Sequence, residues 1–286
     1  MRVTVLWLIL VLSSFELYRV NTNAEKLTCD KATTNAPDGG CASKDAQLEE
    51  NNIDKEILFQ PFEMRRVKID FSEEVSLSVL EAPSSFCSTG TDDTGLVIWG
   101  PSVALSQYMM KYQQKAISGR KVLELGCGLA LPSMMAYRLG ASAVLATDFH
   151  PQTLEQVQFH ADLNQCSIHV ELVDWEYPTD VSDFRADIVL AADVIYGLAL
   201  VPALVKIIER VLPKTSTLII ATRDGRTGIH EFRDMMESHF VEVQVERSKD
   251  RTYLPPIPSA IASDPLSFER WKGNHSIFTY RWREEE

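Results

Sequence analysis

The stretch Lys121-Val122-Leu123-Glu124-Leu125-Gly126-Cys127-Gly128 runs from apolar strand residues into a glycine turn, and Ala130-Leu131-Pro132-Ser133 then opens a helix. A strand that ends in such a turn at a helix N-terminus reads as an α/β unit, its turn either a structural corner or a ligand site, which the rest of the chain must decide. Glycine lets the backbone come close, and the helix start offers free N–H groups. Glu124, two residues before Gly126, adds a carboxylate that can take an ammonium. The combination suits a nucleoside ligand that also carries an amino group. A dinucleotide site asks for a small residue three positions after Gly128, where this chain has Leu131. The acid and the misplaced third glycine together favour S-adenosyl-L-methionine over NAD as cofactor.

From Lys121 onward the signals alternate. Strands fit at 121–125, 143–148, 168–175, 186–193 and 217–222, with helices near 130–139, 151–165 and 201–212. Gly140 is placed to end the first helix, and Pro151 suits the first turn of the second. The third puts Val201, Leu204, Val205, Ile208, Val211 and Leu212 on one face. Such alternation predicts a doubly wound, mostly parallel, seven-stranded sheet of Rossmann-like class, with helices on both faces. Ahead of it, Val67, Ile69 and Phe71, then Val75, Leu77 and Val79, alternate with polar residues around Ser72-Glu73-Glu74, which predicts an N-terminal β-hairpin extension. Pro83 to Gly95 reads as a loop and Val103–Lys115 as a helix introduced by Pro101-Ser102. Alternating segments at Val241–Val245 and Ile277–Trp282 predict a closing antiparallel pair, joined by a loop over 248–275.

The ends of the chain and its charge narrow the class. Residues 1–24 hold Arg2, the apolar run Val3–Leu12 and a small residue at Ala24, a pattern equally consistent with a secretory signal and with a short hydrophobic extension. The run is too short to span a bilayer. Residues 25–56 are polar and read as a disordered linker, leaving 57–286 as the folded domain. Cys29, Cys41, Cys87, Cys127 and Cys166 form no CxxC pair and no zinc spacing, so no metal site is expected, and the set reads as reduced intracellular thiols. The formal net charge is −12, with no long basic block, which disfavours nucleic acid as a partner and favours a basic protein segment.

In a parallel sheet, ligands bind beyond the carboxyl ends of the strands. Acids fall at or near four consecutive strand ends here: Glu124, Asp148, Asp174 (followed by Trp175) and Asp193. Singly each could cap a helix or face solvent; in register they point to a site, with Asp148 placed to accept ribose hydroxyls.

Trp99-Gly100-Pro101, Val122 to Gly128, Thr147-Asp148, Asp174-Trp175 and Asp193-Val194-Ile195-Tyr196 follow the order seen in seven-β-strand methyltransferases, and the chain resembles the lysine methyltransferase-like family (methyltransferase family 16) over roughly residues 96–223. The resemblance implies that Trp99, Gly126, Cys127, Gly128, Asp148, Asp174, Trp175 and Ala192 form the S-adenosyl-L-methionine site. It also implies that Glu124 meets the methionine ammonium, directly or through water, and that Asp193 and Tyr196 face a substrate lysine. The family's usual third glycine is replaced by Ala130, where a positive φ is costly. The expected activity is methylation of a protein lysine. Methylation of arginine, histidine or a small molecule, or a catalytically silent binding module, are the alternatives. The resemblance and the thiols favour an intracellular site over the secretory reading. The sequence leaves oligomeric state and substrate identity open.

Overall fold

The alternating strands and helices fold as one layered unit. In the computed structural model, residues 64–83, 93–177, 181–248 and 254–283 are described, all within a unit spanning Leu58–Glu286. The segments expected at 1–24 and 25–56, Cys29, Cys41 and Cys87, and parts of the loops predicted at 83–95 and 248–275 lie outside the described residues.

Nine strands form two sheets among the described residues. β1 (Arg65–Asp70) and β2 (Ser76–Glu81) make the expected hairpin. Its turn closes with Phe71 N–H on the Val75 carbonyl at 2.9 Å, and the Ser72 hydroxyl accepts from the Val75 N–H at 3.1 Å. β3 (Lys121–Leu125), β4 (Ala143–Asp148), β5 (His169–Leu172), β6 (Ile188–Ala192) and β7 (Thr217–Arg223) run parallel. β8 (Phe240–Ser248) and β9 (His275–Trp282) complete the sheet antiparallel, in the order β5-β4-β3-β6-β7-β9-β8. The chain enters at the centre, runs out to β5 and returns to β6 on the other side of β3, so the strand order reverses between β3 and β6.

Period-two alternation along each strand sorts the side chains between two cores. Val122 of β3, Val144 and Ala146 of β4 and Leu190 of β6 face one side. They pack there against α1 (Gly100–Tyr108), α3 (Leu131–Arg138) and α4 (Pro151–Leu163). Leu123 and Leu125 of β3 and Val189 of β6 face the other, under α5 (Val201–Val211) and α6 (Ile229–Met236). The first helix begins three residues earlier than the pattern predicted, because Pro101 occupies its first turn rather than preceding it. It continues through a π-helical turn, Met109–Gln113, into α2 (Gln114–Ile117).

Two further findings concern a stretch the sequence reading left unassigned and one it read as a loop. α6 went unassigned: it is only eight residues long and buries just Phe232 and Met236, four positions apart, so its helical pattern spans barely two turns. Within 248–275 stand α7 (Ser259–Ala262) and α8 (Pro265–Trp271). Asp264 caps α8 by accepting the N–H groups of Leu266 at 3.1 Å and Ser267 at 3.4 Å, and Pro265 follows it directly. An aspartate N-cap before proline is a helix-start signal on its own.

Buried polar groups dock the hairpin onto this frame. Asn164 accepts the Ser78 N–H at 2.8 Å and donates to the Ser78 carbonyl at 2.7 Å, while His160 Nε2 accepts the Leu80 N–H at 2.9 Å. Together they complete the outer edge of β2, which would otherwise expose a row of unpaired backbone groups. Glu81, fully buried, joins Arg270 at 3.0 Å and the Ile98 N–H at 3.1 Å, and pairs also with Arg65. Removing one partner of a buried ion pair strands the other's charge. Glu81→Ala should therefore cost about 3–5 kcal/mol in urea unfolding. Lys68→Ala, which breaks an exposed pair with Asp70, should cost at most about 1 kcal/mol. Equal effects of the two changes would contradict this account.

Candidate active site

At the carboxyl ends of the parallel strands, beside the point of strand-order reversal, lies a cavity of about 470 Å³. Trp99, Gly126, Gly128, Asp148, Asp174, Trp175, Ala192, Asp193 and Tyr196 all line it. These come from five separate stretches of sequence and meet only because the sheet brings its strand ends together.

The glycine turn forms the cavity floor. Gly126 has φ +62°, and a Cβ there would stand 2.9 Å from Val194 Cγ1 and 3.3 Å from the Trp175 ring. Both its conformation and its space exclude a side chain. Ala130 adopts φ +57° despite its Cβ, so the left-handed position is kept without glycine, at a cost of about 1–2 kcal/mol. Asp148 braces the turn: its Oδ2 accepts the Gly128 N–H and its Oδ1 the His150 N–H, each at 3.1 Å. Burial pushes its carboxyl up from the usual range, and these N–H bonds oppose the rise.

Glu124 and Cys127 do not line the cavity. The pleat turns Glu124 towards α3, where its Oε2 accepts the Ser133 N–H at 2.9 Å and the Ser133 hydroxyl donates to the same oxygen. Complete burial pushes this carboxyl up to about 8, which favours its neutral form near pH 7; it stands behind the turn, with Oε1 lacking a hydrogen-bond partner among the described residues. Cys127 contributes its backbone, donating N–H to the Thr147 carbonyl at 2.9 Å, while its thiol is buried and pushed up by that burial. Asp174 lies two residues beyond β5, which stops at Leu172, and reaches the cavity from the following turn.

Asp193 directly follows β6 with φ +57° and a nearly inaccessible carboxylate. It does not cap α5, which has Leu200 at its N-cap. Instead it forms a two-pronged pair with Arg226, from Nε to Oδ1 at 3.0 Å and Nη2 to Oδ2 at 2.5 Å. The guanidinium also lies 5.4 Å from the centre of the Trp99 ring, whose Nε1 donates to the Thr94 carbonyl at 2.8 Å. Tyr196 is 46% exposed at the cavity rim, which removes it from the core. Arg226 escaped the sequence reading because only acids at strand ends were sought. Its signal was the Asp224-Gly225 turn after the fifth parallel strand, which ends at the same cleft.

Volume, shape and charge fit S-adenosylmethionine: the floor is bare at Gly126, indole walls stand at Trp99 and Trp175, and acids outnumber the lining arginine. The ligand carries positive charge at sulfur and at its amino group, which an acid-lined cavity favours.

A profile of the lysine methyltransferase family matches residues 84–239, and the chain belongs to that family. It is 30% identical over 146 residues to the mouse protein-lysine N-methyltransferase EEF2KMT, covering 46% of this chain and 43% of the mouse protein. It is 29% identical over 175 residues to protein-lysine N-methyltransferase EFM3 of Chaetomium thermophilum, covering 56% and 51% respectively. Histone-arginine methyltransferase METTL23 of Xenopus laevis matches at 33% over 106 residues, covering 36% and 45%. The chain thus spans about half the length of these relatives.

The state of Glu124 sets a pH dependence. An acid titrating near 4.5 when unfolded and near 8 when folded stabilises the fold fully below the lower value, and that stability is lost as pH rises through the higher one. The scale is about 1.4 kcal/mol per unit of displacement. Glu124→Gln removes the titration, so the parent's unfolding free energy should fall relative to the variant's between these two pH values. Parallel pH profiles in urea melts would contradict the buried, protonated state.

Proposed function

We propose that this protein is an S-adenosylmethionine-dependent N-methyltransferase that modifies a lysine side chain of a protein. The observation that carries the reading is one cavity with a glycine turn and Asp148 on one side and Asp193 and Tyr196 on the other. In this reading a single enclosure holds both a nucleoside-binding end and an amine-binding end. The names of the mouse and Chaetomium relatives, both protein-lysine N-methyltransferases, support the same activity.

In this reading Asp148 takes the ribose hydroxyls on lone pairs its N–H partners leave free, and Trp99, Trp175 and Ala192 wall the ligand. Asp174 adds charge at the rim. Gly126 and Gly128 give close approach, while Glu124 and Cys127 hold the turn from behind. S-adenosylmethionine supplies an electrophilic methyl group on a sulfonium. The chain's part is alignment and electrostatics, because nothing in the reaction calls for a covalent nucleophile. Asp193 accepts an N–H of the target amine and so fixes its direction, and the Tyr196 ring packs against the alkyl stem and the charged product. A protein substrate with a basic segment suits an acidic chain, whose formal net charge is −12.

The likeness to a histone-arginine methyltransferase supports arginine as the second reading. Incubating lysate with labelled cofactor and the purified chain, then mapping the modified residue by mass spectrometry, separates the two. Labelling of no protein at all would overturn both.

Asp148→Ala should weaken cofactor binding by about 1.5–3 kcal/mol in calorimetry. Asp193→Asn should leave that affinity nearly unchanged and raise the methyl-transfer barrier by about 2.7–4 kcal/mol, the scale for loss of one preorganised electrostatic partner. A folded Asp193→Asn chain with parental single-turnover rates would remove Asp193 from the reaction.

A further inference from the structure

The carboxylate assigned to the target amine is already matched to a cation of this chain. Both Asp193 oxygens bond Arg226, in the planar two-pronged geometry in which guanidinium and carboxylate neutralise one another most completely. Arg226 is itself held, over the Trp99 ring on one side and on the turn formed by Asp224 and Gly225 (φ +78°) on the other. We propose that Arg226 keeps the amine subsite electrically neutral, so that the subsite takes the target lysine as its free base and disfavours the ammonium. The inference rests on the lysine-methyltransferase reading of this cavity and specifies the protonation state of its substrate.

The surrounding charges support a neutral subsite. On β9, His275 is fully buried with no hydrogen-bond partner on either ring nitrogen, and burial holds it at about 4, so it adds no charge near neutrality. Asp224 is engaged by the Ser276 hydroxyl, and Arg223 points its guanidinium to the Glu269 carbonyl. Asp148, Asp174 and Glu176 line the same cavity from beyond β4 and β5, with His150 at the start of α4. These belong to the opposite side of β3 from Asp193. Tyr196 faces the subsite from the rim.

The chemistry calls for this state. A lysine is an ammonium below about pH 10.4 and has no lone pair to give. A cation beside the amine disfavours the protonated form, and the proton passes to water before transfer. The amine's lone pair then forms the N–C bond as the C–S bond breaks with its electrons left on sulfur, and the product leaves as a methylammonium. A carboxylate has about four lone-pair positions, so Asp193 can bond Arg226 and still accept an N–H of the amine. Arg226 is thus a positioning residue that acts through Asp193.

The test uses n-butylamine as a lysine side-chain probe, the full chain saturated with S-adenosylhomocysteine, and ligand-observed NMR from pH 7 to 10. The parent should bind the probe about tenfold more tightly for each unit of rising pH, tracking the free base. Arg226→Met should bind butylammonium at pH 7 at least tenfold more tightly than the parent, with little pH dependence. Arg226→Lys, which keeps the charge, should retain the parental slope. A parent with pH-independent binding, or an Arg226→Met chain with the parental slope, would overturn the proposal. So would loss of S-adenosylhomocysteine binding in Arg226→Met, which would make Arg226 part of the cofactor site. If no chain bound the probe at any pH, the amine subsite itself, and the reading beneath it, would fail instead.

Discussion

The cleft depends on how the end of β3 is tied to its neighbours. Within a few residues, Thr147 Oγ1 donates to the Glu124 carbonyl at 2.7 Å, the Cys127 N–H reaches back to Thr147, the Gly128 N–H reaches Asp148, and the Glu124 carboxyl holds Ser133 at the start of α3. Each bond satisfies a buried polar group that would be costly left alone. Together they fix two strands, a turn and a helix as a unit. The left-handed conformations of Gly126, Gly128 and Ala130 persist because this frame over-determines them. Glu124, read from the sequence as a ligand group, ties the turn to α3 from the core side.

On the far side of β3 the organising force is electrostatic. Asp193 leaves β6 in a left-handed conformation, and Arg226 comes from the next strand's loop to meet it. Neither residue has a helix-capping or core-packing duty that accounts for this. A strained backbone beside a desolvated, matched ion pair in a cavity wall is what a site looks like when charge must be placed rather than merely buried. The two halves of the cleft then differ in kind, one rich in acids and backbone donors, the other charge-balanced and edged by Tyr196.

The accessory elements serve the same arrangement. The hairpin of β1 and β2 would be marginal alone; His160 and Asn164 bind it to α4 and its C-cap, and Glu81 binds it to Arg270 of α8 and to Ile98 just ahead of α1. Its docking closes the core that α1 shares with α3, and α1 begins directly after Trp99, which stands in the cavity wall. The edge of the fold and the wall of the site are therefore joined through one helix.

Much of this was legible in the chain because it is local. The boundaries of β3 and β4, the helix beginning at Pro151, the apolar face of α5 and the glycine turn follow from period-two and period-3.6 patterns and from glycine and proline chemistry, which act over a few residues. So do the acids at successive strand ends, since the fold class alone says where strand ends gather. The short helix α6 and the Asp264-capped α8 were missed where burial was sparse or the region looked like an uninterrupted loop. What the tertiary structure alone decided is which way each side chain turned once the strands paired. Pleat direction took Glu124 into the core and left Asp148 at the cavity, and only the pairing of β6 with β7 brought Asp193 and Arg226, 33 positions apart in sequence, into one ion pair. Sequence sets local conformation through sterics; the charge balance of the site is a long-range property that exists only when the sheet has formed.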